Sequence, residues 1–258
     1  MRHDLGGRAS TVAHLDRVLL TWRPMVNRTA DSELDVVANL RDVRERIAAV
    51  AVDAGRSPDD VLLVAVSKGH SIERIEPALS EGHCHFGENR VQEAEVKWAS
   101  LRERHPDAVL HLVGSLQTNK ARNAVALFDV IETLDRPKLA DALAREMDRS
   151  GKRPACFIEV NLGGEPQKSG VWLEELPKFI LLCRDSLALP LTGLMCIPPA
   201  AEESAPYFAL LAKLSARYEL QEASMGMSAD YETAVTFGAT QVRVGSAIFG
   251  PRPSGVLV

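Results

Sequence analysis

The sequence has few cysteines, no excess of positive charge and no long apolar run, and each shortage narrows its functional class. Its four cysteines are scattered, with no Cys-x-x-Cys pair, which predicts reduced core residues of a cytoplasmic protein. A net charge of -5 gives no general attraction to nucleic acid or anionic lipid. No apolar run reaches the length that spans a bilayer. We therefore expect neither nucleic acid nor a membrane as a partner.

The composition is otherwise that of an ordinary globular protein, with 46% hydrophobic and 25% charged residues. The length of 258 residues fits one large α/β domain or two small ones. The first 31 residues differ, because arginines outnumber acids there and no strand pattern appears. Five of them share a helical face: Val12, Leu15, Val18, Leu19 and Trp22. We interpret residues 1–31 as a dispensable extension, flexible or a short helix; a docking helix, a targeting peptide and a true start at Met25 stay open.

Helical and strand-like segments alternate from Ser32 onward. The first is a helix over Ser32–Ala54 that Gly55 ends, and Ser57-Pro58 then resembles a cap with a first-turn proline. Eight apolar segments are predicted strands: Val61–Ser67, His83–Phe86, Leu110–Val113, Asp129–Thr133, Cys156–Val160, Leu191–Met195, Glu222–Met225 and Gln241–Val244. Predicted helices between them include Pro137–Arg149, Leu173–Cys183, Ala205–Tyr218 and Asp230–Phe237. Residues 32–258 thus form one (β/α)8 TIM-type barrel with an extra N-terminal helix, or alternatively a doubly wound open sheet.

Lys68 follows the first strand segment directly and precedes Gly69, where the chain must leave the sheet. Residues at the carboxyl ends of barrel strands line the active face. A partly desolvated amine there has a depressed pKa and can attack an aldehyde to form an imine. Lys68 is therefore a candidate Schiff-base residue, and a solvated turn lysine is the alternative.

Small and hydroxyl residues follow the last two strands. Backbone N–H groups in these loops bind phosphate in many barrels. The candidates for such a cradle are Ser224, Gly226, Ser228, Gly245 and Ser246. Together with Lys68 they indicate a ligand that carries an aldehyde and a phosphate, as pyridoxal 5′-phosphate (PLP) does. Ordinary turns are the alternative.

Arg243 lies within the last strand segment, so its side chain points to one face of the sheet. If that face is the barrel interior, the guanidinium faces the pyridine nitrogen of PLP. It then discourages protonation of that nitrogen, because arginine is always charged. A salt bridge to a neighbouring element fits the periodicity equally well.

Several motifs resemble those of the pyridoxal phosphate homeostasis protein family and keep its order. They are Ala65-Val66-Ser67-Lys68, Phe86-Gly87-Glu88-Asn89, His111–Lys120, Gly193-Leu194-Met195, Ser224-Met225-Gly226-Met227-Ser228 and Val242–Gly250. The resemblance runs from the Ser32 helix to Gly250. It implies a single barrel similar to the N-terminal domain of alanine racemase.

The resemblance also implies roles for the site residues. Lys68 would hold PLP as an internal aldimine, Asn89 would lie near the cofactor, and Arg243 would lie near the ring nitrogen. Two further segments would bind the cofactor, namely Ser224-Met225-Gly226 and Gly245-Ser246. Within them, Ser224 and the Gly245-Ser246 backbone would lie near the phosphate. The family implies a carrier or buffer of the cofactor that affects vitamin B6 and amino-acid pools and has no established catalytic activity. We expect a cytoplasmic monomer or weak dimer, with apo-enzymes as recipients of the cofactor.

Three residues near the expected cofactor mouth depart from the family pattern. Gly69 and His70 stand where a threonine and a lysine usually follow the Schiff-base lysine. Arg90 stands where an aromatic residue commonly follows the Gly-Glu-Asn triplet. The lining of the entrance is therefore not predicted by the resemblance.

An alanine racemase-like enzyme is the alternative function. A racemase needs two acid/base groups on opposite faces of its substrate, and in alanine racemase the second is a tyrosine from an additional domain. Here the chain stops soon after the eighth strand, and its only tyrosines are Tyr207, Tyr218 and Tyr231. We therefore expect an open mouth that suits cofactor loading and release, and no enzyme.

Two further alternatives are a Schiff-base aldolase and a metal site. A Schiff-base aldolase would also use a strand-end lysine, but it would be colourless, whereas a PLP protein absorbs blue-violet light. A metal site at His83-Cys84-His85 is disfavoured, because on a strand the two histidines share a face and Cys84 points away. Two histidines fall short of a typical zinc ligand set.

Overall fold

Eight parallel strands close into a barrel in the computed structural model, which describes residues 35–252. The strands of this region, with a short ninth, are β1 (Leu62–Val66), β2 (His85–Glu88), β3 (Val109–Leu112), β4 (Val130–Leu134), β5 (Ala155–Asn161), β6 (Val171–Trp172), β7 (Leu191–Met195), β8 (Glu222–Ser224) and β9 (Gln241–Val244). They lie in the order β4-β3-β2-β1-β9-β8-β7-β5, with β6 paired to the end of β5. Pairing of β4 with β5 closes the sheet. The TIM-type barrel is confirmed, and the doubly wound open sheet is excluded.

Helices surround this barrel. Those in the described region are α1 (Val36–Asp53), α2 (Ile72–Ser80), α3 (Val91–Arg104), α4 (Ala121–Leu127), α5 (Pro137–Ser150), α6 (Leu176–Leu181), α7 (Ala205–Arg217), α8 (Tyr231–Thr236) and α9 (Ser246–Phe249). Helix α1 precedes β1 and packs against α2, α8 and α9. The predicted extension over residues 1–31 and the Ser32 start of the first helix lie outside the described residues. None of the described helices is both long and apolar enough to traverse a bilayer.

Local capping fixes the entry into the barrel. The Asp35 side chain accepts a hydrogen bond from the Ala38 N–H at 3.0 Å and begins α1. Gly55 follows the end of this helix with φ +71°, a left-handed conformation that glycine adopts without strain. Ser57 then forms a capping box with Asp60 around Pro58. The predictions for Gly55 and Ser57-Pro58 are confirmed.

The second strand was predicted at His83–Phe86, and this prediction is wrong by two residues at each end. Gly87 and Glu88 belong to β2 and pair with β3. An acid followed by a polar residue reads as a loop in the sequence. Glu88 is nevertheless fully buried, because Lys97 pairs with its carboxylate at 2.7 Å. Local patterns do not show such a tertiary partner.

The helix predicted at Leu173–Cys183 begins too early and ends too early. Val171–Trp172 pairs with the end of β5 as β6, and a turn with a Glu175 N–H to Trp172 C=O hydrogen bond of 2.9 Å follows. Pro177 lies in the first turn of α6, and α6 continues beyond its end as a wider π turn over Leu182–Ser186. The other predicted elements that lie wholly in residues 35–252 agree with the structure to within one residue.

The two faces of β1 serve different purposes. Leu63 and Ala65 belong to the hydrophobic core under the surrounding helices. Val64 and Val66 alternate with them and face the barrel interior. Lys68 continues this inward row beyond the end of the strand and reaches a cavity at the carboxyl end of the barrel.

Candidate functional site

A cavity of about 480 Å³ opens at the carboxyl ends of the strands. Loops after several strands contribute to it, as in other barrels of this type. Six residues predicted from the sequence line this cavity: Lys68, Asn89, Ser228, Arg243, Gly245 and Ser246. Three others lie in its surroundings and do not line it: Ser224, Met225 and Gly226. The cofactor role of all nine stays a prediction.

Lys68 is half-buried in the cavity wall. Burial, and then the charges of Arg252 and Arg243, lower the pKa of its amine from the usual value. A lowered pKa increases the fraction of unprotonated amine at neutral pH, and the unprotonated amine is the nucleophile. The cavity thus contains an amine that is activated for attack on a carbonyl group.

The turn that carries Lys68 is held on both sides by a buried ionic cluster. The Ser67 hydroxyl donates to Glu88 Oε1 at 2.7 Å, and Lys97 Nζ donates to the Ser67 carbonyl at 3.0 Å. The Gly69 N–H donates to Glu93 Oε1 at 2.6 Å. Lys97 also pairs with both carboxylates, at 2.7 Å and 2.8 Å. The residues before and after Lys68 are therefore fixed by helix α3 and β2.

Arg243 points into the barrel interior, where it is almost completely buried. Its Nη2 donates to the Cys196 carbonyl at 3.0 Å, and its Nη1 donates to the Ser224 hydroxyl. The guanidinium is thus held at a fixed position in the cavity wall. The inward orientation left open by the sequence is observed, and so is a salt bridge, because Nη1 also lies 3.8 Å from Glu132 Oε2 of β4.

Glu132 anchors a hydrogen-bond network behind Arg243. The carboxylate accepts from His111 Nδ1 at 2.8 Å, from the Ser224 hydroxyl at 2.6 Å and from Gln241 Nε2 at 2.6 Å. Burial by itself would raise the pKa of Glu132, but the His111 hydrogen bond and the Arg243 charge hold it below its usual value. Ser224 therefore orients Arg243 from behind the cavity wall.

The loops after β8 and β9 meet at Ser228. Its hydroxyl accepts from the Gly245 N–H at 3.2 Å and from the Ala247 N–H at 3.4 Å. Ser228 itself lines the cavity beside Gly245 and Ser246. A β-carbon on Gly245 would lie 3.0 Å from the Val66 carbonyl oxygen, so glycine lets this loop pack tightly against β1.

Asn89 enters the cavity from the loop after β2. The neighbouring loop after β3 packs directly on it, since a β-carbon on Gly114 would lie 2.5 Å from the Asn89 carbonyl oxygen. A larger residue at position 114 would therefore displace Asn89. Gly114 and Ser115 also line the cavity.

Glu159 of β5 is a second titratable group in the cavity wall. Its side chain is buried, and no residue of the described region donates a hydrogen bond to its Oε2. Burial, and then the nearby Asp135, raise the pKa of this carboxyl to about 7, although Arg243 acts in the opposite direction. The cavity thus contains an acid that exchanges its proton near neutral pH.

Comparisons with known proteins agree with this geometry. Residues 38–253 match the family model of the alanine racemase N-terminal domain. The pyridoxal phosphate homeostasis protein of Escherichia coli K12 is 36% identical over 233 residues, which cover 84% of this chain and 97% of that protein. The protein of the same name from Pseudomonas aeruginosa PAO1 is 37% identical, with 85% and 97% covered. The chain belongs to the pyridoxal phosphate homeostasis protein family.

Solved structures of PipY and of alanine racemase have folds similar to that of this chain. PipY of Synechococcus elongatus PCC7942, solved with PLP bound, is 36% identical with a TM-score of 0.69, and the match covers 84% of this chain and all of PipY. Alanine racemase of Corynebacterium glutamicum has a TM-score of 0.62 at 19% identity, with 87% and 63% covered. The racemase likeness concerns the fold alone.

The three residues that depart from the family pattern lie in different environments in the structure. His70 is buried, lines the cavity and stacks at a tilt on Phe249, with ring centroids 5.5 Å apart. Burial, and then Arg74, lower the pKa of His70. Gly69 adopts φ +75° against the Arg252 side chain. Arg90 is exposed and does not line the cavity.

The histidines of the proposed metal motif are engaged elsewhere. The premise that His83 lies on a strand is wrong, because β2 begins at His85. His83 contacts Arg44 at 3.0 Å, and His85 contacts His111 at 3.1 Å. In residues 35–252, no three His, Cys, Asp or Glu side chains are grouped to hold a metal ion.

Sequence reasoning missed Glu159, although a signal was present. Glu159 interrupts the apolar run of the strand predicted at Cys156–Val160. An acid inside such a run needs a partner or a function, because burial of an unpaired charge is unfavourable. The same signal would have identified Glu132 in β4. Thr133, Ile197 and Met227 also line the cavity and carried no comparable signal.

Proposed function

We propose that this chain binds PLP covalently through Lys68 and acts as a carrier or buffer in the homeostasis of that cofactor. One observation carries the proposal: an amine with a lowered pKa lines a cavity of about 480 Å³ at the carboxyl face of the barrel. The family relation supports it, because relatives are named for PLP homeostasis and PipY was solved with PLP bound.

The residues present fit the cofactor. A volume of about 480 Å³ lies within the range of small-molecule sites. The cavity offers the Lys68 amine, the Arg243 guanidinium and the polar groups of Ser228, Gly245 and Ser246. We assign the last three to the phosphate, and Asn89 to contact with the cofactor. When bound, PLP supplies an aldehyde that captures amines and a ring that withdraws electrons.

Arg243 is assigned to the ring nitrogen of the cofactor. Its position is fixed by Ser224 and by the Cys196 carbonyl, so its positive charge stays in the cavity wall. A permanent cation disfavours protonation of a neighbouring nitrogen, which weakens the ring as an electron sink. This arrangement suits storage of the cofactor better than turnover of amino acids.

Ser224, Met225 and Gly226 support the site from behind its wall. Ser224 connects Glu132 to Arg243, and the Gly226 carbonyl accepts from the Arg243 N–H at 3.0 Å. Met225 is buried in the core. We therefore propose that this segment positions Arg243.

We propose a homeostatic protein without catalytic turnover, and racemisation of amino acids is the alternative function. No tyrosine of the described region lines the cavity, so the second acid/base group of alanine racemase has no counterpart there. One observation favours the alternative, since Glu159 is a titratable acid in the same cavity as Lys68. Formation of D-alanine from L-alanine by the PLP-loaded protein would decide for the racemase, and its absence supports the carrier.

Borohydride reduction tests the proposed function directly. The protein is incubated with PLP, reduced and digested, and the peptides are weighed by mass spectrometry. We expect a pyridoxyl group on Lys68, blue-violet absorption before reduction, and loss of both in Lys68→Ala. Lys178→Ala removes an exposed lysine of α6 and is the matched control. A Lys68→Ala protein that still absorbs like the original would refute the assignment, and a colourless protein with PLP present would favour the aldolase alternative.

The homeostatic role predicts transfer of PLP to apo-enzymes that depend on it. We propose that this transfer takes place in the cytoplasm and that neither nucleic acid nor a membrane is a partner. We propose that the chain is a monomer or a weak dimer. Transfer can be followed as recovery of activity by an apo-aminotransferase mixed with the loaded protein. Recovery no faster than with free PLP at the same concentration would contradict the carrier role. Light scattering across a concentration series measures the oligomeric state.

A further inference from the structure

Glu159 is the feature of the cavity that the proposed function leaves unassigned. It stands on the inner face of β5, in register with Met195 of β7, and lines the same cavity as Lys68. Its Oε2 is fully buried, and no residue from 35 to 252 hydrogen-bonds to that atom. Buried polar atoms are almost always paired in native proteins, so an unpaired one needs a specific explanation.

Glu132 shows what a purely structural carboxylate looks like in this barrel. It lies on the adjacent strand β4, is completely buried, and receives hydrogen bonds from three side chains. Glu159 is also buried, although 8% of it is exposed against 0% of Glu132, and it has none of these partners. The fold therefore satisfies one inward-facing acid and leaves the other directed to the cavity.

The charges around Glu159 come from several elements. Asp135, which follows β4 and pairs with Arg136, raises the pKa of Glu159, and Arg243 of β9 acts against it. Cys196, which follows β7, is also within electrostatic range of Glu159, and its thiol has a pKa raised by burial to about 12. The remaining titratable groups of the cavity lining are Lys68, His70 and Arg252.

We propose that Glu159 is a ligand-binding acid of this cavity, which takes up a proton when the phosphate-bearing ligand enters and releases it when the ligand leaves. The inference rests on the proposed function, because it takes PLP as that ligand. The proton comes from solvent and forms one O–H bond on the Glu159 carboxylate. The resulting neutral acid can donate a hydrogen bond to an acceptor of the ligand, while the carboxylate would repel the anionic ligand at close range.

Proton-linked loading makes the cavity sensitive to pH in the physiological range. An acid that is neutral in the loaded state and largely ionised in the empty state weakens binding as the pH rises through about 7. Lys68 has the opposite effect, because imine formation needs an unprotonated amine. The role of Glu159 must therefore be measured as a difference between two proteins that share Lys68.

The experiment compares the full-length protein with Glu159→Gln and Glu222→Gln. The first variant keeps the shape of the side chain and removes its charge. The second removes an exposed acid at the start of β8, outside the cavity, and is the matched control. PLP is titrated by absorption at pH 6 and pH 8, and by calorimetry at pH 8 in PIPES and HEPES, which differ in ionisation enthalpy and contain no primary amine.

At pH 8, we expect the number of protons taken up per bound PLP to be larger in the unmodified protein than in Glu159→Gln by roughly half a proton or more. The affinity ratio of Glu159→Gln to the unmodified protein should be about tenfold larger at pH 8 than at pH 6. Glu222→Gln should match the unmodified protein. Parallel pH profiles and equal proton uptake in all three proteins would overturn the role of Glu159 and leave PLP binding intact. Failure of the unmodified protein to bind PLP would overturn both.

Discussion

Replacement of Lys97 by methionine should destabilise the protein in a strongly pH-dependent way. Lys97 is the only cation paired with the buried Glu88 in the described part of the chain. Methionine keeps the apolar stem of the lysine and removes the charge, so Glu88 must either remain as an unpaired buried anion or take up a proton. Burial already raises the pKa of Glu88 against the opposing effect of Lys97, and the variant should raise that pKa further.

The size of the effect follows from the cost of protonation. For a carboxyl with an ordinary pKa of 4.5, protonation costs about 3 kcal/mol at pH 7 and less than about 1 kcal/mol at pH 5. Loss of the Lys97 hydrogen bond to the Ser67 carbonyl adds about 1 kcal/mol at either pH. The total at pH 7 agrees with the roughly 3–5 kcal/mol that broken buried ion pairs cost. We therefore expect a loss of about 4 kcal/mol at pH 7 and about half of that or less at pH 5.

Urea unfolding at pH 5, 7 and 8 measures this loss, with circular dichroism for the whole fold and tryptophan fluorescence as a second probe. Trp98 is a suitable reporter, because its indole N–H donates to Glu88 at 3.1 Å. The double variant Lys97→Met/Glu88→Gln should be more stable than Lys97→Met at pH 7, since no buried charge remains. Equal losses at pH 5 and pH 8 would refute the reasoning, because they would show that Lys97 does not compensate the charge of Glu88.

Three further substitutions test other parts of the structure. Glu159→Gln should stabilise the protein by up to about 3 kcal/mol at pH 8 and by less than about 1 kcal/mol at pH 5, as measured by urea unfolding. The reason is that the pKa of Glu159 is raised from 4.5 to about 7, so that its ionisation makes the folded state less stable as the pH rises through that window. Arg243→Gln should weaken PLP binding at least about tenfold in an absorption titration, since it removes the fixed cation of the cavity wall, and unchanged affinity would contradict the assignment. Gly226→Ala should cost about 2 kcal/mol more than Gly82→Ala in thermal unfolding. Both glycines have positive φ, but only at position 226 would the new β-carbon lie 2.5 Å from a side chain of α8, whereas at position 82 no atom lies within 4 Å.

The fold was largely predictable because its strands are short apolar runs separated by helical patterns. Position at a strand end was enough to bring Lys68 and Asn89 to one cavity, since parallel strands place their carboxyl ends together, whereas the sequence left the orientation of Arg243 open. What the sequence did not reveal is depth along the barrel axis. Ser224 precedes the loop that lines the cavity, and its hydroxyl turns inward to Glu132 rather than toward the opening.

Tertiary partners account for the remaining errors. Glu88 was read as a loop residue, because its cation arrives from α3 nine residues later. Glu159 was overlooked although it interrupts an apolar strand, and no residue of the described region hydrogen-bonds to its Oε2. Pairing of Val171–Trp172 with the end of β5 depends on a nearby strand edge, which local propensity does not describe.

Closure of the barrel has a consequence for the order in which the chain can fold. Helix α1 packs against α8 and α9, β1 pairs with β9, and the Asn39 amide donates to the Ile248 carbonyl across a separation of 209 residues. At roughly 5–20 residues per second, synthesis needs on the order of ten seconds or more to extend the chain from one partner to the other. During that interval the edge of β1 that pairs with β9, and the part of α1 that packs against α8 and α9, have no native partner. Ribosome-bound intermediates should therefore depend on chaperones until β9 emerges, and the Lys68 cavity, which Arg243 completes, forms only at the end.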